Sequence, residues 1–496
     1  MRPICRLLLV AVTTTLASSV AWGAATDTAL NPCRLPGLSQ EVRCGHVEMP
    51  ETPGTSNGRV LQIEFAVVPA LAKNKAPDPL FVLAGGPGQS AMQVAPLTLP
   101  MLAQINTRRD IVFVDQRGTG KSHPLTCADD EKQQARLAEA VDMQRQIARI
   151  GACLRSLDAD PRQYATWIAV RDLDAVRARL GADSVNLWGG SYGTRVGLEY
   201  LRQFPERVRT LVLDGVAPSD MRLPASFALD GQAALDRMIA ACAADATCTA
   251  RYPAFATQLN TLFNRFGAKP LQVTLTDPLT GRPEQLPFTR ESFLSVLRTP
   301  LYAPQFAVML PYIVDRAAQD DFTPLASMLA AFGGNGALRL SWGMHFAVVC
   351  AEDMPRIDAA DRAAAAATRF GTGFIELYEQ ACKQVAHQPA PAAFYTLPTA
   401  RVPVLLLSGG ADPATPPRHA ALVAQALPNS RHLVAPNLGH GVSGHGCAPE
   451  LIARFVRQAS FEGIDGACLE RLPAPPFFRP PTGAAAVGTP ASGAKP

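Results

Sequence analysis

The sequence predicts an α/β fold, a mostly parallel sheet covered by helices on both faces and interrupted by an inserted, mainly helical cap. Three observations predict it. Short apolar runs alternate with segments of helical spacing up to about residue 217 and again after residue 400. Between about 218 and 399 the alternation stops and most segments read as helix. Finally, Gly189-Gly190-Ser191-Tyr192-Gly193 lies between the apolar run Ser184–Trp188 and a segment in which Val196, Tyr200 and Leu201 share a helical face. A G-x-S-x-G at a strand-to-helix turn lifts a serine hydroxyl clear of the sheet, and the glycines stand where a Cβ would collide.

The chain opens on Arg2 and Arg6, then the apolar Leu7–Val12, then small residues up to Gly23–Ala25. That is the three-part pattern of a secretory signal, with residues 1–23 removed on export, and the apolar run is too short to span a bilayer. Cys5 leaves with it. Ten cysteines remain, and along the chain they fall into five neighbouring couples. The sequence alone does not fix their connectivity; local pairing, which closes loops of modest length, is the expectation, joining Cys33 with Cys44, Cys127 with Cys153, Cys242 with Cys248, Cys350 with Cys382, and Cys447 with Cys468. With no C-x-x-C, neither a redox motif nor a zinc knuckle is indicated, and no metal or cofactor is called for. A secreted or periplasmic, disulfide-bonded monomer is expected.

Hydrophobic residues make up 48% and charged ones 18%, a balance that supports a large core. The net charge of +4, two units of it in the signal, gives no reason to expect nucleic-acid or membrane-surface binding. No internal repeat was found.

Strands are expected at 59–69 and 79–83, the second entering Ala84-Gly85-Gly86-Pro87-Gly88, a loop whose backbone N–H groups can approach a ligand. A strand at 110–114 leads to Asp115-Gln116-Arg117-Gly118-Thr119-Gly120-Lys121-Ser122. Its end imitates a phosphate-binding loop, but Asp115 stands where the first glycine is required, so nucleotide binding is rejected. Helices are expected at 133–154 and 165–180, and a strand at 208–213 ends on Asp214. In the insertion, 228–244 and 361–383 read as helices and 271–286 as a strand pair. The sheet resumes with 402–407, followed by Asp412, and with 431–434, followed by Asn437-Leu438-Gly439-His440-Gly441. Past Leu472 the proline, alanine and glycine content predicts a flexible tail, 473–496. The domains are thus a first core part at 24–217, the cap at 218–399 and a second core part at 400–472.

Serine, acid and histidine follow strands in the chain order of an α/β-hydrolase triad. An alcohol is a poor nucleophile at neutral pH, so His440 takes the Ser191 proton and Asp412 fixes the imidazole. The backbone N–H groups of Gly86 and Tyr192 form the oxyanion hole. His445, five residues past His440 and near Cys447, is the rival base. Asp214 is the rival acid and reads as structural, while His419 and His432 read as surface and strand-edge residues.

Together, Gly85-Gly86-Pro87-Gly88, Asp115–Gly120, Gly189–Gly193, Asp412 with Thr415-Pro416, and Gly439-His440-Gly441 resemble the secreted tripeptidyl aminopeptidase and prolyl aminopeptidase group of α/β-hydrolases. The prolyl enzymes usually carry histidine before Gly-Gly-Pro-Gly. Ala84 departs from this and favours the tripeptidyl-like branch. The resemblance implies release of short peptides or single residues from peptide N-termini, with cap acids binding the free amine. Glu352 and Asp353, after Gly343-Met344-His345 and beside Cys350, occupy the corresponding segment. A carboxylesterase using the same triad is the alternative, and a silent binding protein on this scaffold is the reading from another class.

Overall fold

The computed structural model describes residues 30–126, 143–268, 270–276, 281–333 and 340–480. The signal-like segment, Cys127 and the Cys153 side chain lie outside the described residues, as do 133–142 of one expected helix.

Nine strands form one sheet in the order β1-β2-β3-β5-β4-β6-β7-β10-β11. These are β1 (Asn31–Cys33), β2 (Val42–Pro50), β3 (Val60–Val68), β4 (Leu80–Leu83), β5 (Ile111–Val114), β6 (Val185–Gly190), β7 (Val208–Asp214), β10 (Val404–Gly409) and β11 (Ser430–Ala435). From β5 to β11 every pairing is parallel, whereas β1, β2 and β3 join antiparallel. The central strands β4, β5, β7 and β10 are almost wholly buried apolar runs, as strands covered on both faces must be. Residues of alternate parity along each strand feed two cores. Phe81, Leu83, Leu187 and Leu213 point to one, Leu80, Val82, Val212 and Leu407 to the other.

Sequence patterning did not find β1 and β2, which begin the sheet, nor the helix Ala91–Asn106, which contains Pro96 and Pro100. Proline in a helix interior normally argues against one. This helix nevertheless buries Met92, Ala95, Leu102 and Ile105 against the sheet, and its Ser90 cap accepts from the Gln93 N–H. The expected helix at 361–383 is two, Ala359–Ala366 and Gly373–Cys382, separated by Gly371 at φ +62°.

Between β7 and β10 lie ten α-helices and the antiparallel hairpin β8 (Leu271–Thr276) and β9 (Pro283–Phe288), counted among the described residues. Much of this insertion is held by its own aromatic core, with Phe266 in ring contact with Phe288, Phe293 and Phe322. The helices Trp342–Glu352 and Gly373–Cys382 behave differently. Met344, Val348, Cys350, Tyr378 and Cys382 share a core with the sheet residues, so this part of the insertion is fastened to the main domain by burial.

Disulfides join Cys33 to Cys44, Cys242 to Cys248, Cys350 to Cys382 and Cys447 to Cys468, four of the five neighbouring couples. The stretch after Leu472 is not free at its start. The Phe478 N–H donates to the Val308 carbonyl, its own carbonyl accepts from the Tyr252 hydroxyl, and its ring packs on Tyr312. Two adjacent phenylalanines give this stretch apolar area to bury, which its proline-rich composition obscures. Among the described residues no helix is long and apolar enough to cross a membrane.

Candidate active site

Ser191 sits between β6 and the helix Tyr192–Gln203 at φ +55°, a left-handed conformation that costs a residue with a Cβ. The turn is held by what surrounds it. A Cβ on Gly193 would lie 2.1 Å from the Leu83 carbonyl oxygen, so only glycine lets the elbow pack against β4. The Ser191 N–H donates to the Asp214 carbonyl at 2.8 Å. The carboxylate of the same Asp214 accepts from the Val442 and Ser443 N–H groups, and Trp188 donates to the Ser443 hydroxyl. Asp214 thereby fixes the serine turn and the histidine loop to each other, a structural role.

His440 and Asp412 meet at the ends of β11 and β10. The loops are tied by bonds from the Gly410 N–H to the Ala435 carbonyl and from the Ala411 N–H to the Leu438 carbonyl. His440 Nδ1 lies 2.8 Å from Asp412 Oδ2. Asp412 is buried and accepts also from the Ala414 and Thr415 N–H groups and from the Thr415 hydroxyl. With four polar hydrogens directed at it, this carboxylate has little freedom to turn away from the imidazole. The rival His445 is exposed and its backbone closes a turn on Val442, whereas His419 is buried against Asp230 and His432 bonds Ser408.

Burial opposes charge on both members of the pair, but the field of His440 still holds Asp412 below the usual carboxylate range. Burial likewise works against the imidazolium. Asp412, with help from Asp214 and against Arg298, outweighs it and raises His440 above its ordinary 6.5. A general base must be neutral, so the acid limb of kcat/KM should have its midpoint above pH 6.5. Asp412→Asn should move that limb down and lower kcat by about 10⁴-fold. A wild-type limb at or below 6.5, or one that Asp412→Asn leaves in place, contradicts this pairing.

The Gly85–Gly88 loop packs on the elbow: a Cβ on Gly85 would stand 3.3 Å from the Ser191 Cβ. Tyr192 is the first residue of its helix, so its N–H has no acceptor within the helix and the dipole there favours an anion. The loop is clamped from the insertion. Ser341 donates its N–H to the Gly88 carbonyl and its hydroxyl to the Gly118 carbonyl. The buried His345 lies 3.1 Å from the Pro87 carbonyl through Nδ1 and 3.0 Å from the Tyr378 hydroxyl through Nε2. Burial lowers His345 to about 4, so it is neutral, with Nδ1–H donating to Pro87 and Nε2 accepting from Tyr378. Cys350–Cys382 joins the two helices that carry this pair. The sequence reading used His345 only as a landmark. Its partners are 258 and 33 residues away, so no local pattern could reveal the clamp.

Asp115, at the end of β5, organises the neighbouring loop by accepting from the Ser90 hydroxyl and the Met92 and Lys121 N–H groups. Arg117 grips Asp172 through Nε and Nη2 at 2.6 and 2.7 Å. The Asp115–Gly120 motif is therefore structural support beside the site.

Glu352 and Asp353 are fully buried. Arg195, one turn beyond the elbow serine, donates to both, at 3.2 Å to Glu352 and 3.0 Å to each Asp353 oxygen. The Thr166 N–H takes the other Glu352 oxygen and the Leu223 N–H reaches Asp353. All four carboxylate oxygens thus have partners, and a substrate ammonium could meet one only by displacing a partner. Two acids share one guanidinium. Burial, aided by Asp353 and opposed by Arg195, raises Glu352 to about 7. Sequence reading missed Arg195 because a charged residue on an amphipathic helix ordinarily faces solvent.

Residues 78–266 match the family model described as the alpha/beta hydrolase fold, and residues 367–468 match the model described as TAP-like protein. The chain has the α/β-hydrolase fold, with a TAP-like segment toward its C-terminal side. It is 32% identical over 223 residues to "Serine protease Hip1" of Mycobacterium tuberculosis, covering 41% of this chain and 42% of that protein. It is 31% identical to "Tripeptidyl aminopeptidase" of Streptomyces coelicolor, covering 36% of each. To "Proline iminopeptidase" of Neisseria gonorrhoeae it is 31% identical over 28% of this chain and 32% of the relative. The matched stretches therefore span less than half of each of these relatives. Within the α/β-hydrolase fold, Ser191, Asp412 and His440 each follow a strand at the same end of the parallel sheet, where ligands of open α/β sheets bind.

Proposed function

We propose that this protein of α/β-hydrolase fold is an exported serine peptidase that releases short peptides or single residues from peptide N-termini through an acyl-enzyme on Ser191. The observation that carries the hydrolase reading is the Asp412–His440 bond at the strand ends together with a serine held at φ +55° on the neighbouring elbow. In this mechanism Ser191 Oγ attacks the scissile carbonyl carbon as its proton passes to His440. The backbone donors of Gly86 and Tyr192 stabilise the oxyanion. Collapse of the tetrahedral intermediate breaks the C–N bond, and His440 returns the proton to the leaving amine. Water then repeats the sequence, freeing the acyl portion and restoring Ser191.

Support for peptides rather than esters comes from the names of the relatives, and support for export from the four disulfides, which persist in oxidising compartments. Recognition of the substrate amine by Glu352 and Asp353 would require one acid to exchange an existing bond for the ammonium. Release of p-nitroaniline from mono-, di- and tripeptide anilides, free or N-acetylated, beside short-chain nitrophenyl esters, checks the whole reading. Free-amine peptide anilides should be cleaved at least about tenfold faster in kcat/KM than their acetylated forms, since a lost charge-assisted bond is worth about 1.5–3 kcal/mol. Hydrolysis of esters alone would replace the peptidase with an esterase, and equal cleavage of acetylated peptides would remove the N-terminal specificity.

A further inference from the structure

Arg298 lies on the cap helix Arg290–Leu301, and its guanidinium is stacked between rings, 4.0 Å from the Phe227 centroid and 5.1 Å from that of Tyr302. Nη2 donates to the Tyr302 hydroxyl at 2.7 Å, while Nε is shut off from solvent without any partner. Among the described residues it makes no ion pair. Arg222, Arg265, Arg316 and Arg362 of the same insertion each meet an Asp or Glu. Arg290 and Arg356, like Arg298, stack on a ring without an ion pair, but each donates to a backbone carbonyl, and only Arg298 of the three has a buried Nε without a partner. Arg298 as a whole is half-buried, and its buried Nε without an acceptor is costly, a cost that aromatic stacking offsets only in part.

Its position is informative. Tyr302 touches the catalytic histidine twice: its carbonyl accepts from the His440 N–H at 2.7 Å, and its ring stands edge-on to the imidazole with centroids 5.1 Å apart. Arg298 is therefore one residue removed from the base. Its charge also acts on Tyr378, the residue that holds His345 against the Gly85–Gly88 loop. The cation thus stands against Tyr302, on the histidine side of the site.

We propose that Arg298 is an anion-binding residue of the substrate site, and that the substrates turned over at Ser191 carry a carboxylate that reaches it. This rests on the serine-hydrolase reading above and adds the substrate class. A carboxylate offers two acceptors to the planar guanidinium and supplies the missing counter-charge. Binding it also removes a positive charge that would oppose the imidazolium formed during acyl transfer, so the gain falls partly in kcat. The carboxylate has two possible sources: an Asp or Glu side chain of the acyl portion, or the free C-terminus of a short peptide.

The experiment compares kcat/KM for matched pairs in wild type, Arg298→Met and Arg298→Lys. One pair is Ala-Ala-Glu and Ala-Ala-Gln p-nitroanilide. A second is tetra-alanine with a free or amidated C-terminus, and the third is mono-p-nitrophenyl succinate and p-nitrophenyl butyrate. Wild type should favour the carboxylate member of at least one pair by about tenfold to a hundredfold. Arg298→Met should erase that preference and Arg298→Lys retain part of it. Each ratio is taken within one protein, so loss of folded material cancels. Absence of preference in wild type, or a preference that survives Arg298→Met unchanged, overturns the proposal. Selective ester hydrolysis without peptide cleavage would leave the anion site standing and remove the peptidase. Peptide cleavage without preference would do the reverse, and no hydrolysis of any pair would end both.

Discussion

Ser191→Ala should give a folded protein whose kcat on every ester and peptide substrate falls by about a millionfold, the loss typical when a triad nucleophile is removed. The size follows from the single route available to the reaction. Asp412 is fully occupied holding His440, and Asp214 is fully occupied joining the elbow to the histidine loop. The fold should survive, because the elbow is fixed by the Ser191 N–H and by the close packing of Gly193, neither of which needs the hydroxyl. Ser191→Gly should melt higher than Ser191→Ala, since φ +55° strains any residue with a Cβ and glycine relieves it. A kcat loss below about a hundredfold in either variant, with the melting curve of a folded protein, contradicts the assignment.

Arg195→Met should be the most destabilising substitution near the site, costing about 3–5 kcal/mol, because it leaves Glu352 and Asp353 buried without their cation. The defect should depend on pH with a definite sign. Burial raises both acids, Glu352 to about 7, so the folded state holds their protons more tightly than the unfolded chain does. Stability tied to these protons is present below the unfolded carboxylate range and is lost as pH rises through the folded values. Without Arg195 those values rise further, so urea midpoints of Arg195→Met should lie furthest below wild type at pH 8 and recover toward pH 5. Adding Glu352→Gln and Asp353→Asn should restore much of the loss. A deficit of less than about 1 kcal/mol, or one constant from pH 5 to 8, would show that the cluster does not carry this load.

The parts of the fold that sequence patterning reveals are those with local causes. Buried parallel strands read as apolar runs, and the elbow reads as glycines because the Leu83 carbonyl leaves no room for a Cβ on Gly193. The same holds for Asp412 and His440, which stand in short loops directly after strands. What stayed hidden has causes far away in sequence. The helix Ala91–Asn106 forms despite two prolines because the sheet takes its apolar face. Arg195 lies 157 residues from Glu352, Tyr302 is 138 positions before the His440 N–H that it accepts, and the His345 clamp joins the cap to a loop 258 residues earlier. These last three contacts join the insertion to the core, and chain patterning cannot register a contact of that kind. The resemblance directed attention to Glu352 and Asp353. The structure adds the buried guanidinium between them and the elbow helix.

The central claim is that one serine hydroxyl in this chain is activated, and intact-mass measurement after exposure to an organophosphonate measures this directly. A single covalent adduct should form on the folded wild type, map to the peptide containing Ser191, and be absent from Ser191→Ala and strongly slowed in a His440→Ala variant. An unmodified wild type, or an adduct of equal yield in Ser191→Ala, would contradict the account.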